Sequence, residues 1–290
     1  MDRNLLIFGL GYSGSATARL ALRRGWRVLA TSRDPARVEA PPGVDVLPFD
    51  RAAPAIALAT HALATAAPGE GGDPVLAAHA AALRAAPHLR WIGYLSTTGV
   101  YGDRGGAEVD EATEPSPGQE RSRRRVEAEA AWAALRPDVA LDLFRTGGIY
   151  GPGRSSLDEL RAGTARRILK PGHAFGRIHV RDIARAVLAA AAQDPPAGRR
   201  VLHLVDDEPA EPADVVGEAA ALLGVAPPLP VPYDQVAPRM SEMARSFWAE
   251  SRRVSSARTK ALLGLAWAFP TYREGLRGIL AEERGEASPE

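Results

Sequence analysis

The sequence predicts an α/β fold, a doubly wound parallel sheet with a smaller C-terminal lobe. Three observations carry that expectation. Through the first half, short apolar runs alternate with longer helical patterns, which is the mark of βαβ units. A glycine-rich turn, Gly9-Leu10-Gly11-Tyr12-Ser13-Gly14, follows the first apolar run directly. After Gly151 the alternation loosens, and the proline-rich stretch 227–232 forms a linker or irregular edge. The 290 residues suffice for two domains or one large domain with an insertion. A chain of this size can bury about 75% of its unfolded surface, so it needs no disulfide or metal staple.

Each element has its own signal. Leu5-Leu6-Ile7-Phe8 reads as the first strand. Residues 16–24 carry apolar side chains at helical spacing and stop at Gly25. Residues 26–31, 44–49 and 61–65 read as the second, third and fourth strands. Residues 73–86 form a helix that Pro87 ends. Residues 90–95 are a fifth strand, 120–135 a long helix and 139–144 a sixth strand. Further on, 156–165 and 180–192 read as helices separated by a basic, hairpin-like stretch, with a short strand at 201–205 and a helix at 209–223.

Composition excludes several classes. With 36 basic and 35 acidic residues the net charge is +1, giving no long-range grip on nucleic acid or membrane. The absence of cysteine excludes disulfides, thiol nucleophiles and thiolate metal sites. The six histidines lack H-E-x-x-H or other ligand spacing, so no metal site is expected. No apolar run approaches the ~20 residues needed to span a bilayer. The N-terminus has no basic segment, apolar run and cleavage site in series, so the expected location is cytoplasmic. Only Lys170 and Lys260 among the 36 basic residues are lysine.

The turn is G-x-G-x-x-G placed after a strand and before a helix, the context in which the pattern has a mechanism. Gly9 makes the tight turn, Gly11 lets backbone approach a pyrophosphate, and Gly14 lets helix pack on strand. The helix N-terminus then holds the phosphates. The cradle Gly9, Leu10, Gly11, Tyr12, Ser13 and Gly14 therefore marks a Rossmann-type dinucleotide site. The second strand ends Thr31-Ser32-Arg33-Asp34. Ser32 and Arg33 suit the 2′-phosphate of NADP(H), since guanidinium matches phosphate bidentately. Asp34 keeps NAD(H) as the alternative, and a solvated Arg33 is the plain one.

With Ser96-Thr97-Thr98-Gly99-Val100-Tyr101-Gly102, the sequence resembles the extended short-chain dehydrogenase/reductase family, the NAD(P)-dependent epimerases, dehydratases and reductases. Three further stretches in order strengthen the resemblance: Arg145 to Gly153, Arg177 to Ala184, and the end from Arg253-Val254-Ser255 through Tyr272-Arg273-Glu274-Gly275-Leu276. The resemblance implies that Thr97 takes the catalytic Ser/Thr place, with Tyr101 four residues on. It implies that Asp50 contacts the adenine, that Thr65 and Ala66 flank the cofactor, and that Ile149 lies beside the nicotinamide. The implied domains are 1–150 for the dinucleotide, completed by about 178–205 and 250–262. Residues 151–177 and 206–249 with 263–281 make the smaller lobe, and 282–290 a frayed tail.

The family's chemistry depends on Tyr-x-x-x-Lys, and here the pattern breaks. The helix reads Glu120-Arg121-Ser122-Arg123-Arg124-Arg125-Val126-Glu127-Ala128-Glu129, which puts Arg121 at the tyrosine position and Arg125 at the lysine position. Arg125 can keep the charge that holds a ribose. Arg121 stays protonated, since guanidinium has a pKa above ~12, so it cannot shuttle a proton. It can stabilise an oxyanion or clamp an anionic substrate. The alternative is a solvated basic face with pairs such as Arg123–Glu127 and Arg125–Glu129. Tyr150, Thr98 and His179 complete the candidates for proton transfer. The resemblance thus implies an atypical NADP-dependent oxidoreductase, or an epimerase, acting on a carbonyl or hydroxyl substrate, nucleotide-sugar-like ones included, with a catalytically silent NAD(P)-binding sensor or scaffold protein as the other reading. A homodimer through the 120–135 helix is a family-level expectation only.

Overall fold

A computed structural model describes residues 3–287, so residues 288–290 of the expected frayed tail lie outside the described residues. The elements up to the fifth strand are β1 (Asn4–Phe8), α1 (Tyr12–Arg23), β2 (Arg27–Ser32), β3 (Asp45–Pro48), α2 (Ala53–Leu58), β4 (His61–Ala64), α3 (Pro74–Ala85) and β5 (Trp91–Thr97). The middle of the chain supplies β6 (Glu108–Val109), α4 (Glu120–Leu135), β7 (Ala140–Thr146), β8 (Gly148–Tyr150), α5 (Ser156–Arg161), β9 (Ile168–Leu169), β10 (Arg177–His179), α6 (Val180–Ala192) and β11 (Gly198–Leu204). The remainder is α7 (Pro212–Leu223), β12 (Val231–Pro232), α8 (Tyr233–Val236), α9 (Glu242–Trp248), β13 (Arg253–Val254), α10 (Ala257–Leu263) and α11 (Tyr272–Glu283).

Seven strands form the central parallel sheet in the order β11-β7-β5-β4-β1-β2-β3. The chain winds outward from β1 in one direction through β2 and β3, then in the other from β4, so the order reverses between β1 and β4. Parallel register sets Phe8 opposite Thr31 on β2 and Ala64 on β4. The C-terminal ends of these three strands therefore come out level, and the crevice outside them is the switch point where such sheets bind ligands. β4 and β7 are buried along their whole length, as strands covered by helices on both faces must be. Leu6, Phe8, Ile56, Tyr94, Trp132 and Leu143 belong to one core cluster.

The chain divides into two compact units. The first comprises residues 1–100, 120–145 and 183–202; the second comprises 101–119, 146–182 and 203–290. Segments 101–119 and 250–262 group with the second unit, because β6 pairs with β13 from Glu108 opposite Arg253 to Val109 opposite Val254. The second unit's core gathers Tyr150, Leu157, Val215, Tyr272, Leu276 and Ile279. A capping box of Thr271 and Glu274 starts α11. Among the described residues no helix is long and apolar enough to cross a membrane.

Three local expectations need correction. α1 starts at Tyr12 rather than at residue 16, because the glycine turn itself is the helix entry. The six-residue α2 was not foreseen, its apolar pattern being too short to separate from a loop. The stretch 166–179 is not a hairpin: β9 pairs in parallel with β12, and β10 with β8.

Candidate functional site

The glycine turn divides its labour as the spacing demands. Gly9 sits at φ +98°, and a Cβ there would lie 2.7 Å from the Thr65 hydroxyl. At Gly14 a Cβ would strike the carbonyl oxygen of Gly9 and touch Ile7. Both are glycine because the fold leaves no room. Gly11 is different: it is the N-cap of α1 with extended backbone, and a Cβ there meets no atom within 4 Å. α1 also starts without a side-chain cap or an acidic residue in its first turn. The first N–H groups of α1 thus have no side-chain acceptor at the cap, and the room at Gly11 beside them fits a dinucleotide's pyrophosphate. In the same turn Leu10 and Ser13 are buried, and Tyr12 is half-buried.

Thr65 locks this turn from the next strand over. Its Oγ1 lies 2.7 Å from the Gly9 carbonyl and 3.1 Å from that of Phe8, and its N–H donates to Phe8 at 3.1 Å. It thereby holds the peptide that starts the turn, with half-buried Ala66 next along the chain. At the end of β2, the Ser32 hydroxyl accepts from the Asp34 N–H at 3.1 Å. The Asp34 carboxylate pairs with Arg37 at 3.1 Å. Arg33 is exposed and makes no ion pair with a described residue. Asp50 is exposed in the 3-10 turn that follows β3.

At the end of β5, Thr97 is half-buried and its hydroxyl accepts from the Gly99 N–H at 3.1 Å. Buried Ser122 of α4 reaches the same turn: a Cβ on Gly99 would lie 3.0 Å from Ser122 Oγ and 3.3 Å from Thr97 Oγ1. Two hydroxyls thus flank Gly99, and the second, one residue beyond the expected tyrosine position, was not anticipated. Arg121 is half-buried on the first turn of α4. Arg125 donates to Tyr94 Oη at 3.0 Å and to the Leu95 carbonyl at 2.7 Å, with its guanidinium 5.6 Å from the Tyr94 ring. Burial pushes the Tyr94 phenol up to about 12, against the pull of Arg125, so it stays protonated and available as the acceptor.

The pairing of Arg125 with Glu129 that the solvated-face alternative offered does not form. Glu129 and Arg145 are both buried and make a bidentate pair, at 3.1 and 2.7 Å, and Ser96 Oγ donates to the same carboxylate at 2.6 Å. This pair ties α4 to the ends of β5 and β7. Helical spacing offers Arg125 to Glu129, but Arg145 on the neighbouring strand takes the carboxylate.

The second unit holds the remaining candidates. Tyr101 is fully buried, with Oη 2.5 Å from His203 Nε2 and 3.2 Å from the Asp110 carbonyl. His203 Nδ1 lies 2.7 Å from the Ser255 carbonyl. Ile149 is half-buried on β8 opposite Ile178. Tyr150 packs edge-on against His179 at 5.2 Å, and burial raises its pKa. His179 is buried with an unpartnered Nε2, and burial pushes it down to about 3. Asp206 is buried near Arg177, and desolvation pushes its carboxyl up to about 8. Among the described residues no group of three or more histidines or carboxylates could hold a metal ion.

No family model matches the chain. A functionally unknown conserved protein from Silicibacter pomeroyi DSS is 44% identical, with a TM-score of 0.89 and coverage of 97% of this chain and 99% of that one. A protein assigned as an NAD-dependent epimerase/dehydratase from Methylobacillus flagellatus is 25% identical, with a TM-score of 0.73 and coverage of 98% and 99%. A 3-diazoavenalumate denitrifying reductase from Streptomyces sp is 31% identical over 176 residues, 56% of this chain. The chain spans about half of that relative's length, 54%.

Proposed function

Since the chain belongs to the extended short-chain dehydrogenase/reductase family, in an atypical form without the Tyr-x-x-x-Lys pair, we propose that it is an NADP-dependent reductase of a small molecule. The observation that carries this is the open space over Gly11 beside an uncapped helix N-terminus, while Gly9 and Gly14 are packed shut. Of the three glycines in the turn, Gly11 alone has no packing reason to be glycine, which supports a ligand there. Arg33, with no carboxylate partner among the described residues, supports a 2′-phosphate, and Asp34 is engaged by Arg37.

A bound reduced nicotinamide would supply the hydride. The chain's own task is to hold the acceptor and the charge that develops on it. Thr97 donates a hydrogen bond to the reacting oxygen, and Arg121 neutralises negative charge there or on the substrate. Arg121 cannot release a proton near neutrality, so the proton that completes an alcohol comes from water. Arg125, anchored on Tyr94 and Leu95, positions the end of β5 and leaves no lysine-like activation of a base. Tyr101, held by His203 and the Asp110 carbonyl, shapes its own loop rather than moving a proton.

A site without a proton shuttle also suits an acceptor that needs hydride alone. An arenediazonium is one: hydride adds at carbon as dinitrogen leaves, and no proton is transferred. The relative that is a denitrifying reductase of a diazo compound supports including this class. The second reading, a binding protein that retains cofactor without turnover, is favoured by the arginine at the tyrosine position.

Oxidation of NADPH at 340 nm across carbonyl, nucleotide-sugar and arenediazonium panels decides between them. Turnover that falls at least tenfold in Thr97→Ala, with NADPH affinity unchanged, is the expected result. Tight NADPH binding with no turnover in any panel would establish the binding protein instead.

A further inference from the structure

The strand ends away from the glycine turn carry a second concave feature. A cavity of about 630 Å³ opens there, walled by Arg3, Arg24, Trp26, Arg27, Arg90 and Asp194. All six residues belong to the first unit. Arg27 begins β2 and Arg90 immediately precedes β5. The cavity therefore lies at the N-terminal ends of the parallel strands, whereas the cofactor cradle lies beyond their C-terminal ends.

Among the described residues that wall it, four guanidiniums meet one carboxylate. Asp194 is the sole described non-glycine residue at positive φ, +45°, and its Oδ1 lies 3.4 Å from Arg90 Nε and 3.9 Å from His61 Nε2. His61 is fully buried, and burial together with Arg90 pushes it down to about 4, so it adds no charge at neutral pH. Trp26 makes a rigid floor: it is buried, with Arg3 stacked 5.0 Å from its ring and the His61 ring 4.9 Å away. Arg24 and Arg27 are exposed and make no ion pair with a described residue.

The dipole at the C-terminus of α1 accounts for one cation, Arg24 at its C-cap. It does not account for Arg27 and Arg90, which introduce strands, where net dipoles are small. Gathering like charges around a hollow is unfavourable unless an anion enters it. Guanidinium is suited to that anion because its planar fork meets carboxylate or phosphate with two parallel hydrogen bonds. A concave site of this size admits a small molecule and not a nucleic-acid duplex.

We propose that this cavity is a second ligand site, distinct from the cofactor cradle, that binds a small multivalent oxyanion, a diphosphate or a polycarboxylate, through Arg24 and Arg27 backed by Arg3 and Arg90. The site is independent of the reductase reading and stands whether or not turnover is found.

The test is titration of the intact protein with inorganic pyrophosphate and, separately, with citrate. Calorimetry gives the affinity, and the indole N–H resonance of Trp26, assigned with Trp26→Phe, reports the location. Saturable binding that moves the Trp26 resonance and weakens at least tenfold in Arg24→Ser/Arg27→Ser, at unchanged melting temperature, is expected. Whichever anion binds more tightly identifies the source chemistry. Arg27→Ser alone, expected to weaken binding at least threefold, serves if the double variant does not fold. Gly11→Val separates the two sites, because it should leave this binding intact. An unmoved Trp26 resonance overturns the proposal. So does binding that survives the arginine substitutions and is lost in Gly11→Val, which would place the anion in the cofactor cradle. Binding of a duplex oligonucleotide in the absence of either small anion overturns it as well.

Discussion

Gly11 and Gly14 stand three residues apart in one turn, yet they should respond oppositely to an added side chain. Gly11→Val enters open space at an extended backbone position, so its cost should stay at about 1 kcal/mol or less, that of a poorer N-cap. Cofactor affinity should nonetheless fall at least tenfold, because the new side chain occupies the path of the pyrophosphate. Gly14→Ala drives a Cβ into backbone and should cost about 1–3 kcal/mol, read by urea denaturation without ligand. Equal destabilisation by both would mean that the turn is glycine for packing alone. The cradle was legible in the sequence because each of its three glycines answers to a geometric demand at fixed spacing. Arg125 was only half legible. Its charge and its place on α4 could be read, but its commitment to Tyr94 and the Leu95 carbonyl depends on strand neighbours that no spacing along one helix reveals.

The central elements were readable for a related reason. β1, β4, β5 and β7 are buried strands, and burial writes them as apolar runs separated by helical patterns. The short pairings β6–β13, β8–β10 and β9–β12 join two or three residues across long stretches of chain. Segments so short carry no periodicity to detect. α4 has a similar blind spot, since its attachment to the sheet goes through Glu129 and Arg145, a buried pair with Ser96 as third member. Arg145→Ala leaves a buried carboxylate without its cation, so the cost should be about 3–5 kcal/mol in urea denaturation. Replacing both residues together with leucine or methionine should cost much less. If Arg145→Ala alone costs under 1 kcal/mol, Glu129 is hydrated and the pair does not hold α4 to the sheet.

At the scale of the molecule, three of the described buried groups with large shifts, His61, His179 and Asp206, act strongly on the pH dependence of stability. His61 and His179 have folded pKa values pushed from 6.5 down to about 4 and about 3 by burial, with Arg90 and Arg181 adding to it. As pH falls below 6.5 the unfolded chain takes up protons that the folded chain refuses, so stability drops on the acid side. Asp206 acts the other way. Desolvation raises its pKa from 3.8 to about 8, against the pull of Arg177, so the folded chain keeps a proton that the unfolded chain releases. Its effect is a loss of stability as pH rises from about 4 to about 8. Below 6.5 the histidines and Asp206 oppose one another; above it Asp206 acts alone. Denaturation midpoints at pH 5, 6.5 and 8 should therefore peak near 6.5, and Asp206→Asn should remove the decline towards 8. An unchanged alkaline slope in that variant would show that Asp206 ionises normally in the folded protein.

The claim on which the function rests is that the cradle takes a dinucleotide and that Arg33 selects its 2′-phosphate. The most direct measurement is equilibrium titration of the wild type and of Arg33→Ala with NADPH, NADP⁺, NADH and NAD⁺. NADP(H) should bind at least tenfold more tightly than NAD(H), and Arg33→Ala should erase that preference while leaving NAD(H) affinity unchanged. Tighter binding of NAD(H), indifferent to Arg33, would contradict the selection and move the ribose contact to Asp34. Failure of all four to bind would contradict the cradle itself.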